Sequence, residues 1–372
     1  MGFAEGFAAG IAVGKKKWQG GGSGDDDEPS YLDDPDYALY QALPEPAENQ
    51  IVGLIRVSGN GEEIYLLDIA GWISENDVVY GTIDYGDGTV QDITSNWYYN
   101  RSHVYAEKGD YTVVFTDNSN GVISHVYFRR TAPKSYPIAV KIGANAVYLN
   151  SEYLIELLKY IEFNSGYFFE NNGRFSATML HRIDFLSDYK PTVIADDTFS
   201  ACNSLDFSNL QDFFSEVTEV GKNAFTNCFQ MKKISLPKCT RLGTNAFDNC
   251  FTLEEIDLSS YAFIPNYCFS SCYSLKNVKL SICTEIGERA FQYCYSLKNA
   301  NAPKCTKIGN SAFFQDQTLT EINAPQCTEV GSQGFLGCTN LVTANFAEEC
   351  SFGNNAFSYC QSLIPAPDGT YP

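Results

Sequence analysis

The spacing of apolar positions divides this chain near its middle. Phenylalanines 225, 247, 269, 291, 313, 335 and 357 recur every 22 residues, and Phe199 stands 26 before the first of them. Each sits in one frame, with a glycine four residues earlier (Gly221, Gly243, Gly287, Gly309, Gly331, Gly353), commonly alanine just before, and cysteine three after. Six residues after the ring comes Leu205, Met231, Leu253, Leu275, Leu297, Leu319, Leu341 or Leu363. A unit this short cannot bury its own apolar side, so the pattern predicts about eight stacked coils over residues 191–372, sharing one continuous core.

Upstream, the pattern changes from a long repeat to short alternation. Residues 48–132 contain IVGLIRV, EIYLLDI, VVYGTIDY, TVQDI, YTVVF and GVISHVYF, separated by Gly, Asn and Asp, and predict a small antiparallel β-sandwich. SEYLIELLKYIEF, with Tyr153, Leu154, Leu157, Leu158 and Ile161 on one face, predicts an amphipathic helix, and residues 138–190 are read as the cap over the first coil. Residues 19–47, rich in Gly, Asp and Pro, read as a flexible acidic tether in which Asp25, Asp26 and Asp27 are a solvated block. A calcium site there is the weaker alternative, since no ligand loop surrounds the triplet.

Residues 1–18 carry an apolar run with Gly2, Gly6, Gly10 and Gly14 every fourth position, interleaved with Phe3 and Phe7. On a helix these glycines form one close-contact stripe, so the segment is a candidate anchoring peptide, against a frayed tail or degenerate signal. Lys15, Lys16 and Lys17 follow the apolar run instead of preceding it, which fits a secretory signal poorly, and the run is too short to span a bilayer.

Two motif sets carry family resemblances. The frame written out as IGERAFQYCYSLKNANAPKCTK closely resembles the BspA-like (bacterial surface protein A-like) leucine-rich repeats, with their I-G-x-x-A-F-x-x-C-x-x-L motif, over roughly residues 191–366. Departures are Asp316 for a Cys, Pro265 for a Gly, and a four-residue insertion after Phe199. Ile83-Asp84-Tyr85-Gly86-Asp87-Gly88-Thr89, then His103-Val104-Tyr105 and Gly109-Asp110-Tyr111-Thr112-Val113, resemble the polycystic-kidney-disease (PKD) domain. Gly86 and Gly88 suit a tight turn with positive φ, and Asp87 can bond nearby amides. The resemblance implies a surface spacer or binding module, in which His103 packs structurally beside that turn.

Charge and cysteine usage narrow the function. A net charge of -20 argues against a nucleic-acid partner, because phosphate binding needs clustered Lys and Arg. All thirteen cysteines follow residue 201. Cys202, Cys228, Cys250, Cys272, Cys294, Cys338 and Cys360 form one column and Cys239, Cys283, Cys305 and Cys327 a second, broken by Asp316 and Tyr261 respectively. Stacked at strand spacing they read as ladders of small buried thiols, with disulfides between rungs the alternative. No CxxC pair or neighbouring His completes a metal site, no cofactor is expected, and no set of nucleophile, base and oxyanion donor appears.

Binding therefore belongs to the outward strand positions. Lys232, Lys233 and Ser235, then Glu254, Glu255 and Asp257, then Lys276, Asn277 and Lys279 alternate in sign from rung to rung. Further on the face becomes nearly neutral, with Lys298, Asn299, Asn301, Thr320, Glu321, Asn323, Thr343 and Asn345 as the candidate binding face. The Asn301, Asn323 and Asn345 amides either bond to one another or meet glycan hydroxyls. The expectation is a non-enzymatic binding or adhesion protein, with virion or surface proteins as partners of its N-terminus and a host protein or glycan as partner of its repeats. Because no export signal is legible and the opening peptide weakly resembles those of phage structural proteins, the outer surface of a virion is the expected location. A bacterial surface adhesin and a purely structural virion protein are the alternatives.

Overall fold

The computed structural model describes residues 34–47, 49–65, 67–70, 81–93, 102–117, 125–128, 136–143, 159–163, 175, 179–185 and 189–364. The anchoring peptide of residues 1–18 and most of the expected tether lie outside them. The architecture is mainly β, with a solenoid of leucine-rich-repeat type occupying the C-terminal half.

In each coil the phenylalanine points inward and lies flat on its counterparts. Phe199, Phe225, Phe247, Phe269, Phe291, Phe313, Phe335 and Phe357 stack at 5.1–5.5 Å with nearly parallel planes. Backbone bonds tie coil to coil at the same level, each ring's amide donating to the residue before the next ring, as from Phe225 to Ala246 and from Phe313 to Gly334. The residues two before and two after each ring adopt positive φ, among them Asn223, Asn227, Asn245 and Asn249, but also Tyr267, Arg289 and Tyr293. This left-handed conformation turns the chain tightly around the ring, and Asn tolerates it best.

The recurrent glycine has a different reason. A Cβ on Gly309 would lie 2.6 Å from the Glu288 amide nitrogen, and one on Gly243 would meet Gly221 backbone at 2.4 Å. The backbones of successive coils touch there, leaving no room for a side chain.

The short strands of the coils form parallel sheets along the stack. One joins Phe263–Ile264, Glu285–Ile286, Lys307–Ile308, Glu329–Val330 and Ser351–Phe352. Another joins Asn277–Lys279, Asn299–Asn301, Glu321–Asn323 and Thr343–Asn345, pairing residues 22 apart. Alternation puts Val278, Ala300 and Ile322 inside and their flanking residues outside.

The N-terminal region differs from the sequence expectation in three respects. First, residues 160–163 of the expected helix form a strand, Tyr160–Phe163, with Ile161 buried, while residues 151–158 lie outside the described set. Its neighbours explain this: it pairs in parallel with Tyr136–Ile142 on one side and Arg182–Phe185 on the other, and backbone pairing overrides a helical spacing of apolar residues.

Second, the tether ends before residue 47. Pro35–Gln41 is a helix capped by the Asp34 carboxylate, which accepts the Asp36 N–H, and Tyr40 and Leu43 are buried against Val52, Leu54, Ile138, Ala139 and Tyr160. Pro at the first helical position and an aspartate cap are start signals, present in the sequence but outweighed by its acidic composition.

Third, the sheet of residues 48–132 does not stop there. Gln50–Val57 pairs antiparallel with both Gly109–Asp117 and Tyr136–Ile142, making a seven-stranded sheet that runs from Val90–Ile93 to Arg182–Phe185. Two antiparallel pairs, Glu62–Tyr65 with Ser102–Tyr105 and Leu67–Ala70 with His125–Phe128, accompany it.

Through residues 138–190, the stretch read as the cap over the first coil, that sheet leads into the solenoid. Tyr160 pairs with Arg182, 22 residues on, at the solenoid's own period. Phe175 stacks on Phe199 at 5.4 Å, donates its amide to Thr198, and offers its carbonyl to the Cys202 thiol, the bonding most later rings repeat. Among the described residues the ring column therefore begins at Phe175, inside the stretch read as a cap. One hydrophobic core runs unbroken from Ile51 to Leu363.

Candidate binding face

The stack places the outward residues in columns whose contacts run between coils. Where the signs alternate, ions pair: Lys233 with Glu255 at 2.8 Å, Lys276 with Glu254, and Lys307 with Glu329 at 3.3 Å on the other sheet. All are exposed, so each contributes little to stability, but together they remove the like-charge repulsion a uniform column would suffer.

Toward the C-terminus the candidate residues share one sheet. Lys298, Asn299, Asn301, Thr320, Glu321, Thr343 and Asn345 are exposed and Asn323 half-buried. Asn345 donates its amide to the Asn323 side-chain oxygen at 2.8 Å, and Asn323 donates to Asn301 at 2.9 Å. The amides are thus bonded along the stack, the first of the two readings of this column. Thr320 caps the Lys298 carbonyl at 3.1 Å. The result is a flat face whose groups are held in place by the coils beneath.

A second ladder escaped the sequence reading. Phe229, Phe251, Tyr273 and Tyr295, four residues after each core ring, stack at 4.7–5.1 Å and are half-buried beside the strands. Their signal was the same 22-residue period, hidden by the change from Phe to Tyr. They edge the N-terminal half of the array, where later coils carry Gln317 and Thr339.

The cysteine columns point inward. Cys228, Cys250, Cys272, Cys294, Cys338 and Cys360 each donate S–H to the carbonyl of the ring one coil earlier, at 3.1–3.3 Å. Burial pushes the Cys228, Cys272 and Cys294 thiols well above their ordinary pKa, the environment of inert packing thiols. Asp316 takes the missing place in this column. It is fully buried, its Oδ1 accepts the Cys294 amide at 2.7 Å, Oδ2 has no partner, and burial drives its pKa far up. Tyr261 fills the gap in the other column, fully buried beside Cys239.

Neither His103 nor His181 forms a catalytic pair with a nucleophile. His103 Nε2 lies 2.7 Å from Asp87 Oδ2, and its ring stacks on Tyr85 at 4.1 Å. It packs beside the turn made by Gly86 and Gly88 at φ +78° and +92°, in which Asp87 accepts the Thr89 amide. His181 bonds the Met179 carbonyl, and burial lowers its pKa. Among the described residues no group of three or more His, Cys, Asp or Glu is arranged to hold a metal, and no helix is long and apolar enough to cross a membrane. Candidate anchor residues Gly2, Phe3, Gly6, Phe7, Gly10 and Gly14 lie outside the described set.

The BspA type leucine rich repeat region matches in overlapping segments, residues 140–254, 192–320 and 253–364. The chain belongs to this family. The BspA-type match starts well before residue 191, in agreement with a ring column that begins at Phe175. Among solved structures, a leucine-rich repeat protein from Bacteroides ovatus is 19% identical, covering 78% of this chain and 82% of that one, with a TM-score of 0.36. The T. pallidum leucine-rich repeat protein is 21% identical over 65% of this chain and 84% of its own, at 0.34. A leucine rich cell surface protein from Faecalibacterium prausnitzii is 19% identical over 74% and 94%, at 0.29. No curated protein sequence matches.

Proposed function

We propose that this BspA-type protein is a non-enzymatic binding and adhesion protein that presents the sheet of Asn277–Lys279, Asn299–Asn301, Glu321–Asn323 and Thr343–Asn345 to a macromolecule outside the cell. The observation that carries this reading is the in-register sheet itself, whose outward columns are flat, polar and held by the stack, so that little ordering cost remains on binding. The partner is a protein surface. The Asn301, Asn323 and Asn345 amides bond one another, which leaves Lys298, Asn299, Glu321 and Thr343 to make contacts and favours broad shape matching over capture of sugar hydroxyls.

In this reading the segment with Ile83–Thr89 and His103 is a PKD-like spacer, and residues 1–18 fasten the chain to its surface. The family supports a bacterial cell surface. Placement on a virion rests on the N-terminal peptide alone, and proteomics of particles against cell envelopes separates the two.

The test of binding is the full chain against a variant carrying Lys298→Glu, Asn299→Arg and Thr343→Arg, applied to host cells and to isolated host-surface proteins. Binding should fall at least tenfold while the melting transition is kept. Undiminished binding by a folded variant overturns the assignment of this face.

A further inference from the structure

The thirteen thiols are not equivalent. Twelve are buried and Cys350 is half-exposed. It lies in the last described coil, where the second column continues with a shift: the interval from the strand asparagine to the cysteine is one residue longer in Asn345–Cys350 than in Asn323–Cys327. The shift brings a cysteine, instead of Glu349, to the end of the Cys305 and Cys327 column. Cys305, Cys327 and Cys350 each donate their amide to the residue three before, Ala302, Ala324 and Ala347, just ahead of strands that pair Lys307 with Glu329 and Glu329 with Ser351, so the three occupy successive rungs although Cys350 stands one residue, not two, before its strand partner. Rungs of a parallel sheet stand ~4.8 Å apart, inside the Cα separation that a disulfide spans.

The side chains meet across those rungs. Cys327 lies between Cys305 and Cys350, near enough for each of them to act on its ionisation. Cys305 and Cys327 also donate to the carbonyls two residues on, Lys307 and Glu329, at 3.2 Å, whereas the Cys350 contact with the Ser351 carbonyl is long, 3.8 Å. In the ring column, by contrast, each thiol is held to a phenylalanine carbonyl under full cover.

We infer that Cys350 and Cys327 form an oxidisable pair that closes to a disulfide by exchange with an external disulfide compound, fastening the last coil to the one beneath it. The Cys350 thiolate attacks one sulfur of the external disulfide, breaking its S–S bond and releasing one thiol, and a mixed disulfide forms. Cys327, as thiolate, then attacks the Cys350 sulfur, forming the Cys327–Cys350 bond and expelling the second thiol. Two protein thiols are oxidised, one external disulfide is reduced to two thiols, and the two protons pass to the departing thiolates. S–H donation from Cys305 holds Cys327, the second nucleophile, below the ordinary thiol range, whereas burial and the neighbouring Cys327 charge push the Cys350 thiol up to about 12, so the first exchange step quickens as pH rises.

The test incubates the folded full chain with a tenfold excess of oxidised glutathione, then counts free thiols and maps cross-links by mass spectrometry. The expected result is loss of two of the thirteen thiols, a mass lower by two hydrogens, and a Cys327–Cys350 cross-linked peptide. Cys350→Ser should abolish the loss. Cys327→Ser should stop at a glutathione adduct on Cys350, which separates a failed exchange from a failed fold. An unchanged thiol count in the folded wild type, a stable adduct on wild-type Cys350, or a cross-link between other cysteines overturns the inference.

Discussion

The solenoid and the N-terminal sheet bury their chains by opposite means. In the solenoid nearly every coil meets the chain 22 residues along, and its interior repeats Phe, Leu, Ala and Cys. Among the described buried residues there, Asp316 is the one carboxylate. In the N-terminal region Gln50–Val57 finds partners at Gly109–Asp117 and Tyr136–Ile142, far along the chain, and charges are buried with it. Lys159 bridges Asp34 and Asp36 at 2.8 and 2.6 Å, Asp36 reaches Arg56 at 2.8 Å, and Tyr40 donates to Asp184 at 2.9 Å. A repeated apolar face sets its own register by translation. A sheet without repeats needs specific polar partners to select one pairing, and this network supplies them where helix Pro35–Gln41 docks.

Removing a repeated ring tests the first half of that contrast. Phe269→Ala opens a cavity between the rings of Phe247 and Phe291, and should destabilise the protein by about 3–5 kcal/mol in urea unfolding. Hydrogen exchange should quicken in the adjoining coils and spare the strands around Gln50–Val57. A loss spread evenly over both regions would erase the distinction.

Tyr40→Phe tests the other half. It removes one hydroxyl from Asp184 without changing shape, and should cost about 1.5–3 kcal/mol, the range for bonds to charged groups. Proteolysis between residues 41 and 50 should quicken as the helix loosens. A silent substitution would mean that apolar packing of Tyr40 alone holds the helix.

Asp316→Cys restores the solenoid's own rule and should stabilise it, by about 1–3 kcal/mol at neutral pH. Burial holds this carboxyl's folded pKa above its unfolded value. Its contribution therefore favours the fold below the unfolded pKa, about 3.9, and is lost as pH rises through the folded pKa. The advantage of the cysteine variant should be large at pH 8 and vanish near pH 4 in thermal melts, and a gain independent of pH would contradict a buried acid.

The smallest effect is expected on the exposed face. Asn323→Ala breaks two amide bonds of the ladder and should cost about 1 kcal/mol or less, leaving the strands paired. A larger loss in chemical denaturation would show that the face stabilises the coil instead of resting on it.

The repeat was legible because one requirement recurs at one interval. A flat ring needs the same partner in every coil, and Gly309 shows why its glycine recurs too. Which residues point outward on the candidate face was also legible, since alternation along a three-residue strand leaves little choice. Phe175 was not. It lacks the Gly and Ala that mark its successors, and it stands 24 residues before Phe199. Tyr160–Phe163 misled for another reason: four residues can match helical or strand spacing equally, and the decision came from the strands on either side.

The amino-acid order by itself determined the coil, the inward column and the outward columns, because identical short-range demands repeated along a chain have one common solution. Only the tertiary structure decided where the stack begins, that an acidic stretch becomes a docked helix, and which sheet receives it. Those outcomes depend on pairing between segments a hundred residues apart, and no local pattern records which distant strand offers the better edge.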